Sequence, residues 1–235
     1  MGSLAPMRKL LFTLLALIVL LVAADRIAVA VAEDKISDRL ASAYGLPARP
    51  GVGIAGFPFL TQVLSGAYHT VSVDVPSVQA GGVRVTQLDT RFTGVRASLA
   101  QVLGRSPDPV TAQAATATAT VPLSALRAGL PRGVTLRQDG RRLDVAGVAH
   151  YLGVAVPYSA TVQPSASSAG ITLTPRQVHV GRAAHVPART LAGRLRFTVP
   201  LGALPLHLRI SSVHVGPAGL HISAASRDVH FATGG

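Results

Sequence analysis

Val71-Ser72-Val73-Asp74-Val75 places a β-branched apolar residue at every second position and a polar one between. A side-chain period of two belongs to an extended chain with one face toward a core and the other toward solvent. The same alternation recurs further on. Val83 and Val85 flank Arg84; Leu195, Phe197 and Val199 alternate with Arg196 and Thr198; Leu206, Leu208 and Ile210 alternate with His207 and Arg209. Gln138-Asp139-Gly140-Arg141, between Val134-Thr135-Leu136 and Leu143-Asp144-Val145, is a hairpin signal, and Gly216-Pro217-Ala218-Gly219 separates Val213-His214-Val215 from Leu220-His221-Ile222 in the same way. No long helical pattern separates these strands, so an antiparallel sheet is expected in place of parallel βαβ units.

Upstream of Gly66 the period lengthens. Ile27, Val31, Ile36, Leu40 and Tyr44 recur at steps of four and five, while Asp25, Arg26, Glu33, Asp34, Lys35, Asp38 and Arg39 occupy other directions. This spacing predicts an amphipathic helix over about 25–44, stopped near Gly45 with Pro47 just beyond. Leu46 to Gly56 is rich in Pro and Gly and reads as a connection. At the extreme N-terminus Arg8 and Lys9 precede an apolar run from Leu10 to Ala24, the pattern of an export signal. The run is shorter than the roughly 20 residues that cross a bilayer as a straight helix. Ala28-Val29-Ala30 and Ala30-Val31-Ala32 both fit a small-x-small cleavage site. Apolar character nevertheless resumes at Ile27 and leads into a helix that the domain needs, which favours a retained anchor over a cleaved signal. The expected organisation is a signal or anchor segment over 1–24 and a single domain over 25–235, β-rich from about 66 onward. Thr120-Val121-Pro122-Leu123-Ser124-Ala125-Leu126 matches Thr198-Val199-Pro200-Leu201-Gly202-Ala203-Leu204, and each precedes a strand-turn-strand pattern, so an internal duplication is also expected.

Hydrophobic residues make up 49% of the 235-residue chain, which is ample for a core and excludes disorder as the default. Aromatics are 4% and Trp is absent, so that core must be built from Val, Leu, Ile and Ala. Cys is absent too, which excludes disulfides, thiolate catalysis and Cys-ligated metals. The net charge is +12, and from Ile27 onward 19 basic residues face 9 acidic ones. Such a balance attracts polyanions, with part of it accounted for as solvated surface. Nucleic acid is disfavoured as the partner because the six Phe and four Tyr are scattered and form no stacking platform among the basic residues. His207, His214 and His221 stand seven apart, a helical spacing, but Pro205, Gly216, Pro217 and Gly219 make a helix improbable there, and an odd step along a strand changes face. With His179 they read as solvent-facing strand residues, and no metal or other cofactor is implied. No G-x-S-x-G elbow or phosphate-cradling Gly loop occurs, and Asp74, Asp89 and Asp144 are the scarce carboxylates that a hydrolase would have to converge. No catalytic residue is assigned.

Gly56-Phe57-Pro58-Phe59-Leu60-Thr61-Gln62-Val63-Leu64-Ser65-Gly66 concentrates two of the six Phe in an unusually apolar stretch. It reads either as a core plug between helix and sheet, or as a wedge at the mouth of an apolar cavity or a loop that dips into lipid. Together with the N-terminal run leading to Ala23-Ala24-Asp25-Arg26, the helix after it, the Val-Pro-Leu elements and Ser212-Val213-His214-Val215-Gly216-Pro217-Ala218-Gly219-Leu220, it resembles the LmeA family of actinobacterial envelope proteins over nearly the whole chain. That resemblance implies a phospholipid-binding domain, α+β and mostly β, with a long helix packed in a curved antiparallel sheet similar to tubular lipid-binding proteins. It supplies no catalytic residues.

The expected function is non-enzymatic binding of phospholipid on the extracytoplasmic side of the cell membrane, with transfer as its extension, the lipid being anionic by the charge argument. Apolar strand faces would line an elongated groove. From apolarity and position, the acyl-chain candidates are Ile27, Val31, Leu40, Phe57, Phe59, Leu60, Phe92, Leu195 and Phe197, and the headgroup candidates are Arg84, Arg91, Arg96, Arg194 and Arg196. The competing functions are an envelope scaffold with a filled core and a lipid or glycan hydrolase; protein partners are not specified by the sequence.

Overall fold

One unbroken helix, α1 (Leu4–Tyr44), takes in both the apolar run and the segment expected to be amphipathic. Its only proline, Pro6, lies in the first turn, where a missing N–H costs no helical bond. At the other end Gly45 adopts φ +56° and the Leu46 N–H donates to the Ala41 carbonyl at 3.0 Å, closing the last turn as the Gly-Leu-Pro sequence predicts. The computed structural model describes residues 4–80, 83–102, 108–151, 154–167, 170–181, 196–199 and 209–231. The remaining elements are β1 (Gly51–Ala55), α2 (Phe59–Ser65), β2 (Ala67–Ala80), β3 (Val83–Arg96), α3 (Leu99–Val102), β4 (Val110–Pro122), α4 (Leu123–Ala128), β5 (Thr135–Asp139), β6 (Arg142–Tyr151), β7 (Val154–Ser167), β8 (Gly170–Val180), β9 (Phe197–Val199), β10 (Arg209–Gly216) and β11 (Gly219–Phe231). This is the mostly-β, α+β class expected, with two antiparallel sheets ordered β1-β2-β3-β4-β11-β10 and β5-β6-β7-β8-β9. Both foreseen hairpins form: Asp139 pairs with Arg142 across Gly140-Arg141, and Gly216 with Gly219 across Pro217-Ala218.

The residues cluster into two compact units. The first comprises Met1–Val73, Arg91–Ala114 and His230–Gly235; the second, Asp74–Thr90 and Ala115–Val229. Within the first, α1 meets β1 and α2 through a face other than the expected one. Asp25, Val29 and Ser37 are buried and Glu33 is half-buried, whereas Ile27, Val31 and Tyr44 are exposed and Ile36 and Leu40 are half-buried. Steps of four residues align Asp25, Val29, Glu33 and Ser37 as one stripe. The reason for the choice is the edge strand. The Ile54 N–H donates to Glu33 Oε1 at 2.7 Å, and Ser37 Oγ donates to the Pro50 carbonyl at 2.6 Å, so the stripe satisfies backbone groups that an apolar face would leave unpaired. The stretch expected to be a mere connection therefore holds β1, a strand whose partners include helix side chains. The unit's interior adds Phe59 against Tyr68, ring centroids 6.3 Å apart, and an edge-to-face pair of Phe92 and Phe231 at 5.0 Å.

The second unit carries the larger apolar core. Val121, Leu126, Leu136, Leu143, Val145, Val156, Ile171, Leu173 and Leu220 are essentially inaccessible to solvent and pack in one cluster with Val83, Val85, Tyr158, Val215 and Ile222. Eight of the nine lie on strands and Leu126 lies on α4, and they pack against one another, so among the described residues these strand positions do not line the expected groove. The duplication expected around Thr198–Leu204 falls largely outside the described residues, since β9 ends at Val199 and residues 200–208 are not among them.

Burial along β3 explains why alternation is readable only in short windows. Val83 and Val85 are buried on odd positions and Phe92 on an even one. Gln87, between them, has φ +52°, and a left-handed residue inside a strand marks an inserted residue that shifts the phase by one. Asp228, also at φ +52°, does the same in β11, between buried Ala224 and buried Val229.

Replacing Leu143 by Ala is expected to destabilise the protein by about 2–5 kcal/mol, through lost burial and the cavity left behind. Val148→Ala, on an exposed position of the same strand, should cost under about 1 kcal/mol. Denaturant midpoints of the full chain in detergent check both.

Candidate functional site

Gly56 to Gly66 is held in the first unit as a short amphipathic helix with its own anchors. Gly56 has φ +117°, and a Cβ there would come within 2.6 Å of the Gln62 amide nitrogen, so the glycine makes room for that side chain. In α2, Phe59 and Gln62 face inward, 5% and 4% exposed, one turn apart. Leu60 and Leu64 face outward, also one turn apart, and Leu64 is 86% exposed; Phe57, just ahead of the helix, is 62% exposed. Each of the two readings of this segment thus applies to a different Phe. Phe59 is the core plug and Phe57 the outward-facing ring.

Four contacts fix α2. Asp25 Oδ1 on α1 accepts the Leu60 N–H at 2.8 Å, and its other oxygen pairs with the Arg26 guanidinium at 2.5 Å. Arg26 in turn lies over the Phe57 ring, 5.3 Å from its centroid, a cation–π contact. At the far end Gly66 caps the helix at φ +64° and its carbonyl accepts the Ala97 N–H at 3.0 Å. Gln62 Oε1 accepts the His69 N–H at 3.2 Å, with His69 Nδ1 3.4 Å away.

The inner side of α2 borders an open cavity of about 550 Å³, whose walls include Thr61, Gln62, Tyr68, His69, Arg96 and Gln113. Tyr68 is buried, and burial pushes its hydroxyl above the usual phenol value. The Gln62 amide nitrogen is buried without a hydrogen-bond partner. Gly94, at φ +61°, gives Gln113 its place, since a Cβ there would meet the Gln113 amide at 2.5 Å. A second open cavity, about 960 Å³, lies in the second unit beside the β10–β11 turn and is bordered by Gln138, Arg141, His214 and His221. The two imidazoles stack at 5.5 Å, and His221 Nδ1 lies 3.2 Å from Thr120 Oγ1.

The expected site residues are therefore not gathered in one place. Phe57, ahead of α2, and Leu60, on its outer side, are exposed, as are Ile27 and Val31 on α1. Phe59 and Phe92 are buried inside the first unit, Leu40 is half-buried, and Phe197 packs half-buried on the second unit's core. Arg84, Arg91, Arg96 and Arg196 are exposed, and of these Arg96 borders the cavity beside α2. Arg194 and Leu195, like His207, lie outside the described residues. Asp144 is engaged by Thr161 Oγ1 at 2.8 Å, Asp74 and Asp89 are exposed, and neither cavity is bordered by a carboxylate. Among the described residues no three His, Asp or Glu side chains are grouped as a metal site would require. Asp25, Arg26, Gln62, His69 and Leu64 are not among the expected site residues; the signal was the charged pair directly after the apolar run and the four-residue step from Leu60 to Leu64.

A family model described as LmeA-like phospholipid-binding matches residues 23–225, most of the chain. The chain belongs to the LmeA-like phospholipid-binding family. No curated protein and no solved structure matches it. The LmeA-like match begins at Ala23, so Asp25, Arg26 and the whole of α2 lie inside the family's domain, while the apolar turns before Ala23 lie outside it. Phospholipid is accordingly the ligand class of this LmeA-like domain.

Asp25→Ala removes the acceptor of the Leu60 amide and the partner of Arg26 together. Hydrogen exchange across Phe59–Ser65 should accelerate roughly tenfold or more while the β6–β7 amides keep their protection, because a backbone donor loses a charged acceptor only at this place.

Proposed function

We propose that this LmeA-like chain is an exported, non-enzymatic phospholipid-binding protein of the cell envelope, retained at the membrane by the N-terminal part of α1. The observation that carries the reading is the run of exposed apolar side chains from the helix to α2. Leu10, Leu11, Phe12, Leu14, Leu15 and the apolar residues up to Val22 are exposed along α1, which is long and apolar enough over its first half to cross a membrane. The Asp25 bond to Leu60 then holds α2 within about one helical turn, roughly 5.4 Å along the axis, of Leu21 and Val22. Phe57, Leu60 and Leu64 thus extend the apolar surface of the anchor onto the folded domain. Burying Leu64, 86% exposed, in lipid is worth about 1.5–3 kcal/mol and burying Phe57 and Leu60 proportionately less, while Arg26 would meet phosphate where acyl chains give way to headgroups.

Retention of the helix is supported by what cleavage would remove. A cut at Ala30 or Ala32 would take away Asp25 and Val29, both buried against the rest of the first unit. The acyl-chain contacts of this reading are Phe57, Leu60, Leu64, Ile27 and Val31, with headgroups met by arginine. Transfer between membranes would use the same surface. A second reading, an envelope scaffold, is favoured by the closed core of the second unit, where the strand faces leave no room for a hydrocarbon tail.

Native mass spectrometry of the full chain released from detergent micelles separates the two. The lipid-binding reading expects phospholipid adducts on the wild type and at least a tenfold smaller bound fraction for the double variant Phe57→Ser and Leu64→Ser, since two exposed apolar contacts are removed. A wild type that carries no phospholipid, even after incubation with excess lipid, leaves the scaffold. The same spectra report the mass of the N-terminus, and a species beginning after Ala30 or Ala32 would overturn retention of the anchor.

A further inference from the structure

The β6–β7 hairpin runs on past the other strands of its sheet. β6 pairs with β5 only as far as Ala146 opposite Thr135, and β7 pairs with β8 only as far as Tyr158 opposite Val180. Beyond those rungs β6 and β7 pair with each other alone in that sheet, through Val148–Pro157, Ala149–Val156, His150–Ala155 and Tyr151–Val154. At a rise of about 3.3 Å per residue, this end of the hairpin extends roughly 13 Å past its neighbours.

Its side chains set it apart from the rest of the second unit. Val148 and Val154 are 55% and 58% exposed, and among the described residues they are the only large apolar side chains so exposed outside the first unit. They lie on opposite faces of the ribbon. Val154 shares its face with buried Val156 and Tyr158, whereas Val148 shares the other with Pro157. Residues 145–175 contain no Asp, Glu, Lys or Arg, in a chain whose net charge is +12. His150 is their one imidazole, a ring with an apolar body and a polar edge.

We infer that this end of the β6–β7 hairpin dips into the surface of a phospholipid bilayer, a lipid contact on the second unit separate from that of α2. Exposure on both faces selects the partner: a protein surface covers one face of a ribbon and leaves the other wet, while a fluid apolar medium surrounds both. The lack of formal charge removes the largest cost of entering such a medium. Cross-strand pairing satisfies the backbone groups that point into the ribbon, but the groups along its two outer edges still need water. Entry is therefore shallow, at the headgroup–acyl boundary, where interfacial segments sit about 5–10 Å deep. The inference rests on the reading of the chain as held at a membrane, which keeps a bilayer at hand.

Because the chain has no Cys, an environment-sensitive dye can be placed at single introduced thiols. The full chain is reconstituted in liposomes of phosphatidylcholine and phosphatidylglycerol with the dye on Val148→Cys, Val154→Cys, Leu64→Cys of α2 or Asp139→Cys, an exposed position beside the start of β6. Ala155→Cys, exposed on the same face as Val148, serves should the Val148 variant fail to fold. Emission from both valine positions is expected to shift to the blue and to be lost when the lipid carries a doxyl quencher high on its acyl chain, while the Asp139 position keeps its water-exposed emission. Quencher in the anchoring liposomes assigns the contact to the same bilayer, and quenching only by vesicles added afterwards assigns it to a facing one. Quenching at one valine alone, equal quenching at Asp139, or a blue shift that grows with protein density and ignores the quencher overturns the inference, the last in favour of a protein partner. Quenching at Leu64 without quenching at either valine overturns it and leaves the lipid-binding reading intact. No quenching at any position overturns both.

Discussion

A carboxylate at the end of an oily helix has to find donors, and the first unit is organised around how Asp25 does so. Fifteen residues of nearly continuous apolar chain deliver it to the edge of the folded domain. There it is buried, bridging the Leu60 N–H on one oxygen and Arg26 on the other. Removing such a group from water is unfavourable unless its lone pairs are met, so its position determines where α2 can lie. Glu33 on Ile54 and Ser37 on Pro50 continue the same principle along one stripe of α1, and Arg26 beside it lies over Phe57. The helix is docked largely by polar side chains reaching main-chain groups at a sheet edge, with Val29 buried among them, and Ile27, Val31 and Tyr44 are left facing outward.

That inversion is why the helix was legible and its orientation was not. The step of four and five residues from Ile27 to Tyr44 correctly marked a helix and its stop at Gly45, because the periodicity and the left-handed cap are local properties. Which face is buried depends on the partner, and a strand edge with unpaired N–H and C=O groups selects Glu33 and Ser37 over Ile27 and Val31. β1 was missed for the complementary reason. Its Gly-Val-Gly-Ile-Ala sequence has little strand character, and its stability comes from β2 and α1, which a local window does not contain. The two hairpins were legible since their turns impose backbone angles that Gly140 and Gly219 alone among their neighbours supply.

The candidate site was half legible. Concentration of Phe in Gly56–Gly66 located it, but the two rings look alike in sequence, and only the fold turns Phe59, the first residue of α2, inward and leaves Phe57, ahead of the helix, exposed. The arginines could be counted and not ranked, since the phase shift at Gln87 hides from a local window that Arg84, Arg91 and Arg96 are all exposed, and only the fold puts one of them, Arg96, at the cavity beside α2. The alternating valines and leucines of the second unit promise a channel as readily as a core, because a period of two says which side chains share a face and not what that face packs against.

α1 has no Pro or Gly between Met7 and Tyr44 and so no joint between its apolar half and its docked half. For a chain held in a membrane by that helix, tilt of the bilayer-embedded turns is transmitted rigidly to the first unit. From Asp25 to Tyr44 the rod extends about 30 Å, so height above the headgroups is set by rise per residue and tilt, with no slack for the first unit to tumble. A tether of this kind restricts which leaflet α2 can address, and it makes bilayer thickness and curvature mechanical inputs to how deeply Phe57 and Leu64 are seated.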